Sequence, residues 1–107
     1  MKDLTEILAK IDNCTERYET LQLGLISDQA EILRDMVTSL HWLEQHRVKA
    51  HSDWMSYYFN SKGKNNAEKE READQKCQDL YLIRHFISSG RLVCDGLRST
   101  LSANKNG

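Results

Sequence analysis

The sequence predicts an all-α fold: an antiparallel helical hairpin of two long helices plus a shorter N-terminal helix, together a three-helix, coiled-coil-like bundle that self-associates. Three observations predict it. The chain holds no proline and only five glycines, and proline is the residue that breaks helix interiors. Apolar residues recur at steps of three and four, the rhythm of one helix face. One breaker-rich stretch, NSKGKN at residues 60–65, interrupts the second half of the chain.

The first helix is expected over residues 3–22. Leu4, Ile7, Ile11, Cys14, Tyr18, Leu21 and Leu25 alternate steps of three and four, an a/d stripe that seeks a partner helix. Gly24 supplies its stop. The second helix is expected over 28–61. Asp28 and Glu31 have the spacing of a capping box. The apolar row then runs through Leu33, Met36, Val37, Leu40, Leu43, Val48, Trp54, Met55, Tyr58 and Phe59 without a breaker. Trp54, Tyr57, Tyr58 and Phe59 are expected to form an aromatic plug at that end. Residues 60–65 form the turn.

The third helix is expected over 66–102, with Asn65 and Glu68 as its capping signal. Its first part, AEKEREADQK, is almost wholly charged and is expected to be solvated, held by i,i+4 pairs rather than by burial. Leu80, Ile83, Ile87, Cys94, Leu97 and Leu101 then supply an apolar face. Gly90 lies on it, where close helix approach offsets glycine's helix cost of about 1 kcal/mol. Residues 103–107 are expected to fray. The whole of 1–107 reads as one all-helical domain. Rods of roughly 45–55 Å leave apolar edge that a short first helix cannot cover, which is the ground for expecting a homo-oligomer.

Composition excludes several classes. No run of eighteen apolar residues occurs, so no membrane span is expected. The segment MKDLTEILAKID is amphipathic and lacks the apolar centre of a secretory leader, which points to a cytoplasmic protein. Cys14, Cys77 and Cys94 are odd in number and widely spaced, against a disulfide framework or a zinc knuckle; buried free thiols are expected. Net charge is −1, but residues 1–57 carry six basic and ten acidic side chains (6 − 10 = −4) and residues 58–107 carry nine and six (9 − 6 = +3). That asymmetry serves either a partner or the docking of one half on the other.

The stretch HWLEQHRVKAH, residues 41–51, holds three of the four histidines. At about 100° per residue they point in three directions. Zinc-binding histidines on one helix need a step of three or four, so no metal site is expected on this helix. Glu44, Arg47 and His51 fall instead within the apolar arc. Charges there are costly unless paired, so these three are expected to form a buried polar cluster that either pairs with the third helix or faces a polar cleft. Trp42 falls on the polar side with Gln45 and Lys49. It is either covered by the first helix or a second copy, or it is an exposed anchor for a protein partner.

Arg84, Arg91 and Arg98 recur every seven residues, and Lys105 continues the series. One reading is a rail for nucleic-acid phosphates. The other is a set of interhelical ion pairs: folding about residue 63 brings Arg84 near Glu44, Arg91 near Asp35, and Arg98 near Glu31 or Asp28. No P-loop, GxGxxG, GxSxG or CxxC occurs, so no cofactor and no enzymatic activity are expected. Folding the hairpin also brings Cys77 toward His46 or His51, the pairing that thiol chemistry would need.

The segments WMSYYF, SKGKNN, AEKEREAD and LYLIRHFISSGRLVCDGLRSTLS, within residues 54–102, together resemble small helical accessory proteins encoded in phage and prophage early, recombination-associated regions. That resemblance implies an accessory protein that binds a host or phage component, and it carries no catalytic residues. Two functions therefore stand: a non-enzymatic helical protein-interaction module using Trp42, Gln45 and Lys49, and an accessory nucleic-acid binder using the arginine stripe.

Overall fold

The computed structural model describes residues 2–21 and 26–106, without the side chains of residues 104–106. It is an all-α bundle of four helices: α1 (Leu4–Glu19), α2 (Ile26–Phe59), α3 (Asn66–Lys76) and α4 (Gln78–Asn106). The bundle measures 60 × 24 × 18 Å, and α2 is the common spine against which the other three pack.

α1 starts at Asp3, whose carboxylate accepts from the Glu6 backbone N–H at 3.3 Å and caps one orphan donor. Ile7, Ile11 and Cys14 are its buried stripe. Gly24 and Leu25, expected to end that helix and extend its stripe, lie outside the described residues. α2 begins at Ile26, so Asp28 is not its cap but an acid in its first turn, where the helix dipole favours negative charge. Asn65 caps α3 by accepting from Glu68 N–H at 2.9 Å, while Glu68 Oε2 accepts from Lys64 N–H at 2.7 Å.

The expected third helix is two helices. The rod breaks at Cys77, which has φ −125° and ψ 53° and closes α3 by donating to the Ala73 carbonyl. The physical reason lies in what holds each half. Only Ala73 of α3 is buried. The helix is fastened by polar contacts, Trp54 Nε1 of α2 donating to Asp74 at 2.8 Å and Ser61 Oγ of the turn donating to Glu72. α4 is held instead by apolar burial. A one-residue break lets each half take its own alignment. At the other end, residues 103–106 continue α4 rather than leaving it.

The core joins Ile7, Ile11 and Cys14 of α1 to Ile32, Met36 and Leu43 of α2 and to Ile83, Ile87, Val93, Cys94 and Leu97 of α4. Gly90 sits where the spacing predicts a close approach: a Cβ there would meet Leu40 Cδ2 at 2.7 Å and the Met36 sulfur at 3.2 Å. Cys14 and Cys94 are buried and Cys77 partly so, all three as free thiols. Burial pushes each thiol above its ordinary value; around Cys77 the charges of Asp53, Asp74 and Asp79 add to it. A thiol-specific reagent added to native protein is therefore expected to label Cys77 first, more slowly than a free thiol, and Cys14 and Cys94 only on unfolding. Equal rates at all three would contradict this packing.

Candidate interaction surface

α1 covers one side of the α2/α4 seam. Arg17 reaches across to Asp35 at 3.0 Å and Glu31 at 3.8 Å. His46 Nε2 donates to the Lys2 carbonyl at 2.6 Å, and Lys2 Nζ lies 5.2 Å from the Trp42 ring centroid. The Tyr18 ring lies against Gly96 of α4. Asp35, Trp42 and His46 thus mark the covered flank of α2.

This arrangement redistributes the residues singled out in the sequence. Trp42 is partly buried and packs on the core beside α1, while Gln45 and Lys49 are exposed and Lys49 pairs with Asp53 at 3.2 Å. The three do not form one open patch around the tryptophan. Glu44, Arg47 and His51 are not a buried cluster. Met36 and Leu43 occupy the centre of the seam, and these three polar residues lie half-buried along its rim. Arg47 pairs within its own helix, its Nε and Nη2 donating to Glu44 at 2.9 and 2.6 Å. His51 stacks on Trp54, and Trp54 on Tyr58, with centroids 6.3 and 5.4 Å apart. The aromatic group therefore runs along the rim rather than plugging the end, and Phe59 is 70 % exposed.

The expected ion pairs between the arginine series and α2 do not form. Three of the four carboxylates are engaged elsewhere, Asp35 and Glu31 by Arg17 and Glu44 by Arg47, and Asp28 makes no ion pair within 4.0 Å among the described residues. Arg84 Nη2 donates to His51 Nδ1 at 3.4 Å, and Arg98 lies 3.9 Å from Asp95 on its own helix. Arg91 makes no ion pair within 4.0 Å among the described residues, although its charge reaches Glu44. The Lys105 side chain lies outside the described residues.

The uncovered flank of α2 carries Val37, Val48 and Met55, which are 41, 55 and 40 % exposed. Stepping round the helix from Leu40, these fall on the side away from Asp35, Trp42 and His46. The contact of Arg84 with His51 ties the α4 arginines to this same side. On α4, Tyr81 and Leu92 also stand in solvent. The result is an exposed apolar row on α2 edged by the guanidinium groups of α4, with Tyr81 and Leu92 farther round on the outer side of α4. The sequence spacing predicts Val37, Val48 and Met55 on the same inward row as Met36 and Leu43, and the structure turns them outward. The signal available in the sequence is the width of the α2 apolar arc, broader than α1 and α4 together cover.

Polar geometry at this surface gives a pH expectation. The Glu44 carboxyl is held below its ordinary value of 4.5 chiefly by the hydrogen bond from Arg47. That of Glu72 is lowered by Ser61 and then Lys76. For an acid whose folded pKa is depressed, the stabilisation is full above the unfolded value and is lost as pH falls through the folded one. Acid unfolding is expected to begin below about pH 4.5, with a shallower limb in Glu44→Gln. An unchanged limb would remove this linkage.

His46 and Cys77 both line an open cleft of about 510 Å³, together with Lys49, Asp53, Tyr57 and Lys76. The cleft does not join a thiolate to a base. His46 Nε2 is occupied by the Lys2 carbonyl, and the Cys77 thiol is shifted away from the thiolate. Among the described residues no group of three or more His, Cys, Asp or Glu side chains could hold a metal ion, and no helix is long and apolar enough to cross a membrane. No family model, curated protein or solved structure matches the chain.

Proposed function

We propose that the protein is a non-enzymatic helical interaction module whose working surface is the α2/α4 face opposite α1. The observation that carries this reading is the exposure of Val37, Val48 and Met55 along one flank of the spine helix. Monomeric proteins rarely leave an extended apolar face open, and such faces mark docking sites. The anchor thus shifts from Trp42, which α1 engages, to the opposite flank. A cytoplasmic accessory role alongside phage or host proteins is in keeping with the resemblance of residues 54–102.

The test is affinity capture from the native host with the wild-type chain and with Val48→Arg/Met55→Arg. Both substitutions are at exposed positions and are expected to leave helical content unchanged. A partner held by the wild type and lost by the double variant supports the reading; equal recovery by both removes it.

A second reading, nucleic-acid binding through Arg84, Arg91 and Arg98, is favoured by one observation: these arginines are not consumed by the acids of α2. It predicts a complex in a gel shift at low salt, with a log–log salt slope near −3 for about three phosphate contacts. No shift at low salt would eliminate it.

A further inference from the structure

We infer that the α2/α4 face binds an acidic amphipathic α-helix of a partner protein, one that presents a carboxylate every seventh residue to Arg84, Arg91 and Arg98. The inference rests on the docking reading above and adds the chemistry of the occupant.

The spacing comes first. Arg84, Arg91 and Arg98 are seven residues apart, so their Cα atoms repeat at about 10.5 Å along one side of α4. A helix lying alongside repeats its own face at the same interval. Beside the arginines runs the exposed row Val37, Val48 and Met55 of α2. A helix laid in the groove between α2 and α4 would bury its a/d side chains on that row and turn one flanking column toward the guanidiniums. A phosphate chain could use the arginines but would leave the apolar row in water.

The charge inventory sets the sign. Among the described residues, the only carboxylate within 4.0 Å of a ladder arginine is Asp95, at 3.9 Å from Arg98. Glu44, the acid on the facing rim, is already held by Arg47 at 2.6 Å. Positive charge along this edge is thus left for an outside partner to answer. A second copy using the same face would bring a second arginine ladder and no unpaired acid, so it does not supply the complement. Like charges opposed across an interface are disfavoured, and opposite ones select the partner.

The test uses the full chain and a synthetic four-heptad peptide with leucine at a and d and glutamate at e and g, followed by fluorescence anisotropy. Repulsion among its own glutamates keeps that peptide from pairing with itself. A control peptide carries lysine at e and g. The glutamate peptide is expected to bind the wild type about tenfold more tightly than Arg91→Glu, and the lysine peptide to show the reverse preference. Val48→Arg is expected to abolish glutamate-peptide binding. Circular dichroism of each variant should match the wild type. Indifference of both peptides to Arg91→Glu overturns the acidic-helix inference. If Val48→Arg still abolishes their binding, the docking reading stands. Failure of the glutamate peptide to bind the wild type also overturns the inference, and the host-capture comparison then decides the docking reading separately. A wild-type chain that sediments as a dimer and is split by Val48→Arg overturns the inference in favour of a second copy. Binding of a DNA strand but of neither peptide overturns it in favour of phosphates.

Discussion

Leu43→Ala is expected to lower stability by about 3 kcal/mol, within the usual range of about 2–5 kcal/mol for emptying a buried leucine site. Leu43 is completely buried in the cluster that joins α1, α2 and α4. Truncation removes apolar contacts and leaves a void that three helices cannot all move to fill. For a chain of this size the melting temperature should fall by roughly 10–20 °C. Leu92→Ala is the control: Leu92 is 72 % exposed, and its loss should stay within about 0.5 kcal/mol. Thermal unfolding of the pair checks the burial directly. Similar melting temperatures for the two variants would mean that α2 is not turned as described.

The second large effect has the opposite sign. Gln29→Met is expected to stabilise the protein by about 1–2 kcal/mol. Gln29 is fully buried in α2, and neither its amide oxygen nor its amide nitrogen meets a hydrogen-bond partner among the described residues. An unsatisfied buried polar group costs about 1–3 kcal/mol, while an apolar replacement of similar shape removes that cost. Methionine matches glutamine closely in length and helix propensity, and its thioether adapts to the same space. The check is a urea titration, in which the midpoint should rise with the slope unchanged. A lower midpoint would show that the amide is satisfied.

Much of the architecture was legible in the local pattern. Ile7, Ile11 and Cys14 form the inward stripe of α1 and Leu80, Ile83, Ile87, Gly90, Cys94 and Leu97 that of α4, as their steps of three and four require. Asn65 caps the helix after the turn because its side chain is placed to accept from Glu68 N–H. Gly90 marks the close approach of α4 to Leu40 and Met36. The candidate surface was legible only in pieces: the arginine spacing was visible, and so were Val37, Val48 and Met55, but not that these lie together on an uncovered side.

Helix formation, turn position and the identity of most inward residues were determined by the sequence alone. Each depends on backbone periodicity and on side chains within one or two turns of each other. The break at Cys77, the engagement of Trp42 by Lys2, the choice of Arg17 rather than Arg91 as partner for Asp35, and the rim position of Glu44 and His51 were decided by the tertiary structure. They depend on the side of the seam that α1 occupies and on the rotation of α2 beneath it. Competing half-exposed ion pairs differ by only about 0–1 kcal/mol. Charge sign and spacing along the chain therefore leave the choice among them open, and the packing of three apolar stripes settles it.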